Sequence, residues 1–287
     1  SFKIMKSKDM LDKLQKAIYF FETPLGGLGT LSSFDLFNKV RQDNIKVSLS
    51  GEGADELFGG YKYYYLAWLK SLFLKKKFSE LNEEINKYNK NNNKKLVKKN
   101  LNDFFNLKGE MYAPDGTSIY TRDNFFTKDF TNIQSSRNYN IKQQGENLTD
   151  EIYKDIFWRK LPKLLHFQDR ASMANSVESR VPFLDHLLWD KVFSTNPKNL
   201  FSKHHTKKVI REIYTKRFKT LNTGKKYVST PQREWLKNDL KDKIIEIIRY
   251  GKLVDNKIIN FKNWKNNYDK YSNSKELGNS FFIWKIL

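Results

Sequence analysis

Cysteine is absent from this 287-residue chain. Its absence excludes disulfides, thiolate metal sites and a cysteine nucleophile on this chain. Long apolar runs are absent too, because none approaches the roughly 20 residues that span a bilayer. The first residues, 1–4, do not resemble a signal peptide. These absences predict a cytoplasmic protein with no membrane association.

Acidic residues are few beside the basic ones, which leaves a formal net charge of +21. A charge of this size is compatible with nucleic-acid binding. However, only 10 of the 53 basic residues are arginine, the side chain whose planar fork suits phosphates and base edges. The lysines are interleaved with asparagines, most densely over residues 87–102. A solvated basic surface is therefore favoured, and a nucleic-acid site is the alternative.

Periodicity predicts a mainly helical chain. Helical spacing of apolar residues begins at Met10 and ends near Phe21, and a second helix is predicted over residues 32–40. Between two glycine-containing segments, apolar residues alternate with polar ones over residues 45–50, which predicts one short buried strand. One strand cannot form a sheet. The remaining strands are therefore expected outside this chain or in segments whose pattern does not reveal them.

The second part of the chain has almost no strand pattern. Residues 61–75 are aromatic and helical in spacing, and helices are expected again from Thr149 onward. Between them, residues 76–106 form a charged segment rich in lysine and asparagine. We expect this segment to be an exposed helical insertion.

The most informative stretch runs from Val47 to Tyr61 and reads VSLSGEGADELFGGY. It predicts a strand that ends in a tight turn, where glycines let the backbone approach a ligand. Three carboxylates follow at the start of a helix, and carboxylates can hold Mg²⁺ together with phosphate oxygens. A purely structural alternative is a helix whose first turn carries acids that satisfy its dipole.

Three blocks of the sequence together resemble the asparagine synthetase family. They are the turn just described, the block 169–185 (DRASMANSVESRVPFLD), and the basic region with Lys207–Arg211, Lys225–Lys226 and Pro231–Leu236. The resemblance covers about residues 8–240. It implies an α/β fold with a parallel sheet of the adenine-nucleotide-hydrolase (ATP pyrophosphatase) type, mostly helical in this portion. The whole chain, 1–287, would be one synthetase domain.

The resemblance implies a ligase that uses ATP and Mg²⁺. A substrate carboxylate attacks the α-phosphorus of ATP, pyrophosphate leaves, and ammonia then displaces AMP to form an amide. The implied catalytic residues are Glu52, Asp169 and Lys225. The implied ATP or pyrophosphate contacts are Ser50, Gly51, Gly53, Arg170 and Lys207, and the implied metal ligand is Asp55.

The roles of these residues differ. Glu52 matches the acid of the amine step, and Asp169 matches an acid beside the reacting centre. Lys225 matches a lysine that stabilises transition-state charge, with Lys226 as its alternative. Lys207 matches a phosphate-binding lysine.

Several conspicuous residues have no implied catalytic role. Glu178, Arg180 and Asp185 are assigned to an ion-paired bend before Pro182. The four histidines show no metal-ligand spacing.

The family's pyrophosphate loop, Ser-Gly-Gly-x-Asp-Ser, has no counterpart in this sequence. The glutaminase domain, with its N-terminal cysteine, has none either. We therefore expect that the chain alone is inactive and that the glutaminase domain lies on a missing N-terminal part or on a separate chain. A homodimer is possible.

Aspartate, which would yield asparagine, is the expected acceptor. The alternatives are a related amidotransferase or cyclase that acts on a sugar, β-amino acid or peptide carboxylate, or a non-catalytic basic binding protein derived from a synthetase.

Overall fold

The computed structural model describes residues 5–91, 125–135, 147–201, 206–218, 230–274, 280–284 and 286–287. Helices dominate these ranges, and none of the helices described there is long and apolar enough to cross a membrane. Lys225, Lys226 and residues 92–106 of the expected insertion lie outside the described residues.

The helices and strands follow in chain order. The first half contains α1 (Met10–Phe21), α2 (Leu28–Gln42), β1 (Val47–Leu49), α3 (Ala54–Leu57), α4 (Lys62–Leu74), α5 (Phe78–Asn91) and α6 (Lys128–Ser135). The second half contains α7 (Leu148–Lys154), a π-helical segment (Asp155–Arg159), α8 (Leu161–Met173), β2 (Glu178–Arg180), α9 (His186–Phe193), α10 (Lys208–Arg217), α11 (Gln232–Lys237), α12 (Lys241–Arg249), α13 (Lys252–Asp255), α14 (Phe261–Asn273) and α15 (Phe281–Trp284).

The strand predicted at residues 45–50 is present and pairs with β2 in parallel. Ser48 lies opposite Ser179, and Gln168 Nε2 of α8 donates to Ser179 Oγ at 3.0 Å. This contact turns one face of the sheet toward α8. Alternate residues point to the other face, and there Val47 and Leu49 are 41% and 74% exposed.

The prediction of a buried strand is therefore wrong. Parallel sheets are normally covered on both faces. In the described part of the chain the sheet has two strands, and the face that carries Val47 and Leu49 is left open to solvent.

The larger hydrophobic core forms around α1, α2, α8, α12 and α14. The sequence pattern of α1 explains its part in that core, because Met10, Leu14, Ala17 and Phe21 recur every three or four residues and are all buried. The prediction of a helix from Met10 to Phe21 is confirmed.

A second cluster lies between α4, α5 and α7. It includes Leu81 and Ile85 of α5, which are both buried. Residues 78–91 were expected to belong to an exposed insertion, but they form an amphipathic helix with one face anchored to α4. For residues 78–91, the predicted exposure is therefore wrong on the face that packs against α4, where Leu81 and Ile85 are buried.

The first turn of α2 is capped by a residue distant in sequence. Gly27, which precedes this helix, has no side chain, and Gln232 Oε1 of α11 accepts a hydrogen bond from the Leu28 amide at 2.7 Å. Gln232 Nε2 in turn donates to Ser280 Oγ at 3.0 Å, and both side chains are buried. One glutamine therefore ties three parts of the chain together.

Gln232→Ala should lower the free energy of unfolding by about 1–3 kcal/mol, because it leaves buried polar groups without their partner. Chemical denaturation measures this change. Gln42→Ala is the matched control, since Gln42 pairs with Asn38 on the exposed side of α2, and its effect should stay within about 0.5 kcal/mol. Equal losses in the two variants would contradict the capping role.

Candidate active site

The acidic turn, residues 50–56, follows β1 directly. The Ser50 amide donates to Arg180 O at 2.7 Å, which ties the start of the turn to β2. The Glu52 amide donates to Ser50 Oγ at 3.3 Å, and the Ala54 amide donates to Gly51 O at 3.2 Å. A β-carbon added at Gly51 would meet nothing within 4 Å, so space is open at this point of the turn.

Gly53 connects the turn to the second sequence block. Its φ of +85° lies in the left-handed region that glycine adopts without strain. A β-carbon there would overlap Leu184 Cδ2, which belongs to the short 3₁₀ turn Pro182–Leu184 after β2. The turn and the second block are therefore packed in direct contact.

Lys207 connects the turn to the third sequence block. Its Nζ lies 3.0 Å from Asp55 Oδ1. The lysine immediately precedes α10, and it reaches Asp55 across Gly60, whose amide donates to the Asp55 carbonyl at 2.7 Å. A β-carbon at Gly60 would collide with Asp55 Oδ1 and come within 2.6 Å of Lys207 Cε. A β-carbon at position 60 would therefore displace one or both side chains of this ion pair.

The electrostatics of the turn favour a proton acceptor at Glu52. Burial raises the pKa of the Glu52 carboxyl above its usual range. The negative charge of Asp55 raises it further, and Lys207 opposes both. A carboxylate with a raised pKa is a stronger base than one in water, which suits general-base work.

Gly60→Ala should lower the free energy of unfolding by up to about 1 kcal/mol, because the added methyl separates the partly exposed Asp55–Lys207 ion pair. Thermal or chemical unfolding measures the change. Gly29→Ala is the control: this position lies in α2 with nothing within 4 Å of an added β-carbon, so alanine should be neutral or stabilising by up to about 1 kcal/mol. Equal effects of Gly60→Ala and Gly29→Ala would contradict the packing of the two side chains over Gly60.

The structure does not bring every predicted site residue to the turn. Asp169 is exposed on α8, one residue after the Gln168 that bonds β2, and none of its described contacts reaches the turn. Arg170 pairs with Glu22 at the end of α1, at 3.3 Å. Their predicted roles stay predictions, as does that of Lys225, which lies outside the described residues.

Glu178, Arg180 and Asp185, for which a structural role was predicted, do form local contacts. Arg180 Nε lies 2.9 Å from Glu178 Oε1, although the pair lies on β2 rather than in a bend. Asp185 accepts a hydrogen bond from the Leu188 amide and caps α9. Among the residues that the structure covers, no group of three or more His, Cys, Asp or Glu side chains is arranged to hold a metal ion.

Sequence reasoning missed a buried polar cluster behind the turn. We call it the tyrosine–acid cluster, and it comprises Glu56, Tyr61, Tyr63, Tyr64, Glu151, Asp155, Arg159 and Lys160. Glu56 and Asp155 are each only 1% exposed. The run of tyrosines after the paired glycines was a visible signal, but Asp155, the acid that Tyr63 and Tyr64 share, lies about ninety positions further on.

The sequence also matches known proteins. A family model for asparagine synthase matches residues 2–280. Two similar curated proteins are the glutamine-hydrolyzing asparagine synthetases 1 and 3 of Bacillus subtilis. They are 27% and 26% identical over 271 and 270 residues, which cover 86% and 88% of this chain and 40% and 39% of the relatives. Amidase chyE of Penicillium rubens is 24% identical over 281 residues, which cover 85% of this chain and 41% of that protein.

The chain spans about two fifths of the length of these curated relatives. The family match, by contrast, extends over nearly all of this chain and includes all three sequence blocks that meet at the acidic turn. The chain therefore belongs to the asparagine synthase family.

Proposed function

We propose that this chain supplies half of the active site of an ATP-dependent, AMP-forming amide ligase, with aspartate as the acceptor and asparagine as the product. The observation that carries the proposal is the convergence of three distant sequence blocks on one turn. Asp55 of the first block pairs with Lys207 of the third at 3.0 Å, and Gly53 packs on Leu184 of the second.

The position of the turn supports a nucleotide site of the ATP pyrophosphatase type. In open parallel sheets, ligands bind outside the carboxyl ends of the strands. The acidic turn leaves the carboxyl end of β1, and the turn with Leu184 leaves the carboxyl end of β2. Ser50 and Gly51 would then line the nucleotide pocket.

In the first step, an oxygen of the substrate carboxylate attacks the α-phosphorus of ATP. A P–O bond forms, the bond to the bridging oxygen breaks, and pyrophosphate leaves with that electron pair. Lys207, and Lys225 by family resemblance, would stabilise the negative charge that builds up on the phosphates.

The donor set at the turn fits Mg²⁺, which usually binds through one or two carboxylates plus phosphate oxygens. Asp55 would hold it. The bound ion would neutralise phosphate charge.

In the second step, the nitrogen of ammonia attacks the acyl carbon of the adenylate, and AMP leaves. The attacking nitrogen must lose a proton. Glu52 would accept it, since burial and the Asp55 charge raise the pKa of its carboxyl.

Ammonia would come from a glutaminase on another polypeptide segment. The two B. subtilis relatives are named as glutamine-hydrolyzing, and this chain contains no cysteine to act as the glutaminase nucleophile. The enzyme would work in the cytoplasm on small molecules, and its basic surface would be solvated rather than bound to nucleic acid.

The test compares the chain alone with the completed enzyme, meaning the chain combined with a polypeptide that carries the Ser-Gly-Gly-x-Asp-Ser loop. Nucleotide products and amide are measured with ATP, Mg²⁺, ammonia and a panel of carboxylates that includes aspartate, β-amino acids, sugar acids and peptides. We expect the chain alone to be inactive. The completed enzyme should release AMP and one amide.

Each part of the proposal can be contradicted by one result of this experiment. Turnover by the chain alone would overturn the half-site claim. Release of ADP would overturn the reaction class. An amide from another acceptor would retain the chemistry and replace aspartate.

A further inference from the structure

The tyrosine–acid cluster joins the start of α4 to the π-helical segment. Tyr63 and Tyr64 of α4 both donate their hydroxyl hydrogens to Asp155 Oδ2, with the Tyr64 bond at 2.8 Å. Arg159 Nε lies 2.8 Å from Asp155 Oδ1, and its NH2 group lies 2.5 Å from Glu151 Oε2. These groups are partnered within the cluster. Together they fix the first turn of α4 against α7 and the π-helical segment.

The π-helical segment explains how Lys160 reaches the same place. Its backbone bond runs from the Lys160 amide to the Asp155 carbonyl, five residues back, at 3.1 Å. Such a widened turn brings residues five apart close to one face, whereas an α-helix does this for residues three or four apart. Arg159 and Lys160 therefore both contact the same part of the cluster as Asp155. Widened turns of this kind are frequent at functional sites.

The Lys160 ammonium lies over two stacked tyrosine rings. Its Nζ is 3.9 Å from the Tyr61 ring centroid and 4.7 Å from that of Tyr63. The two rings are nearly parallel, with centroids 5.3 Å apart. A cation over a tyrosine face in a half-buried setting is a stabilising contact. One side chain thus holds both rings in place.

Tyr61 carries this constraint to the acidic turn. Its hydroxyl donates to Glu56 Oε1 at 2.8 Å, and Glu56 is the residue next to Asp55. The cluster contains three acids and two cations, so the loss of Lys160 would leave its buried negative charge less balanced.

We propose that Lys160 is a positioning residue for the acidic turn: it clamps Tyr61 onto Tyr63, and Tyr61 through Glu56 fixes the orientation of Asp55 and Glu52. The proposal rests on the proposed function only for the catalytic role of the acidic turn. The clamp itself is a property of this chain. It assigns a role to a lysine outside all three family blocks.

Amide hydrogen exchange of the full chain tests the clamp without any catalytic assay. The reporting amides are those of Leu57, Phe58 and Gly60. They donate to the backbone carbonyls of Gly53, Ala54 and Asp55, respectively. Lys160→Met keeps the length of the stem and removes the charge. It should speed exchange at these amides by about 3- to 30-fold, the range expected for loss of a partly buried cation–π contact. In Lys160→Arg, the exchange rates of these amides should stay within about threefold of those in the unchanged protein, because arginine keeps a cation over the rings.

Two references separate the clamp from a general loss of stability. The amides of α14 in the main core should exchange at unchanged rates. Lys163→Met is the matched control, since Lys163 also lies over an aromatic ring, 5.5 Å from the Phe167 centroid, but away from the turn. The proposal is overturned if Lys160→Met leaves exchange in the turn unchanged, if Lys163→Met has the same effect there, or if α14 changes by the same factor.

Tyr61→Phe decides the matter should Lys160→Met not fold. This variant keeps the ring under Lys160 and removes the hydroxyl that donates to Glu56. Exchange at Leu57, Phe58 and Gly60 should again rise, and unchanged exchange would overturn the proposal.

In the completed enzyme, Lys160→Met should lower kcat about tenfold with little change in the KM for ATP, because a misplaced turn mainly affects the reacting geometry. Lys160→Arg should restore kcat. A larger change in KM than in kcat, or no rescue by arginine, would contradict the positioning role. An enzyme without any ATP-dependent activity would overturn the proposed function, while the exchange data would still decide the clamp.

Discussion

Glu52→Gln is expected to slow amide formation by the completed enzyme by about 10²–10⁴-fold, the usual contribution of a general base. Glutamine keeps the shape of the side chain but cannot accept a proton. ATP–pyrophosphate exchange reports adenylation alone, and it should fall much less than amide release. The ratio of the two rates is the measurement.

The same variant should change the pH profile. Because burial raises the pKa of Glu52, the ionised base accumulates at a higher pH than for an exposed glutamate. The amide rate should therefore rise with pH through that pKa, and Glu52→Gln should lose this rise. Glu178→Gln, an exposed acid in the Arg180 pair on β2, is the control and should leave both rates unchanged. An equal fall in exchange and amide release would place Glu52 in the nucleotide step instead.

Lys207→Met is expected to slow adenylation by about 10²–10³-fold, the typical cost of losing one positioned charge-stabilising group. Methionine keeps the length of the stem across Gly60 but has no charge for the leaving pyrophosphate. It also leaves Asp55 without the cation 3.0 Å away. The ATP–pyrophosphate exchange rate of the completed enzyme measures the effect.

The neighbouring lysine provides the control for that variant. Lys208 is the first residue of α10, and Lys208→Met removes the same charge from the same short segment. Its exchange rate should stay within about threefold of the unchanged enzyme, because charges away from the reacting phosphates contribute little. Similar losses in both variants would mean that general positive charge, not the position of Lys207, supports the reaction.

Features that depend on neighbouring residues along the chain were predicted well from the sequence. The spacing of apolar residues in α1 depends only on neighbours along the chain, so its predicted bounds agree with the structure. The turn after β1 was predicted from its glycines, and the left-handed φ of Gly53 confirms why glycine is needed there. The reason for Gly60 was not predictable, because Asp55 and Lys207 meet over it only in the folded chain.

Contacts between distant segments were beyond the sequence pattern. Alternation in β1 indicated which residues share a face, but the pattern cannot show whether another layer covers that face, and Val47 and Leu49 proved exposed. The tyrosine–acid cluster was missed for a related reason. Asp155 and Lys160 reach the α4 tyrosines through a π-helical turn, and periodicity based on α-helices places residues five apart on different faces.

Family resemblance supplied roles that pattern alone could not. It named Asp55 and Lys207 as parts of one site, and the ion pair between them agrees with that assignment. It also named Asp169 and Arg170, which the structure places on α8 without a described contact to the turn. The structure therefore brings two of these residues together, and the catalytic and binding roles of all of them stay predictions.

Positional isotope exchange tests the central claim most directly, namely that the acidic turn and Lys207 serve an adenylating reaction. ATP labelled with ¹⁸O in the bridge between its α- and β-phosphorus atoms is incubated with the completed enzyme, Mg²⁺ and aspartate, without ammonia, and the label is followed by ³¹P NMR. Reversible adenylation frees pyrophosphate to rotate, so the account predicts that the label moves to non-bridging positions only when aspartate is present, and that Lys207→Met slows this movement. Label that stays in the bridge while amide is still formed once ammonia is added, with ADP as the nucleotide product, would contradict it.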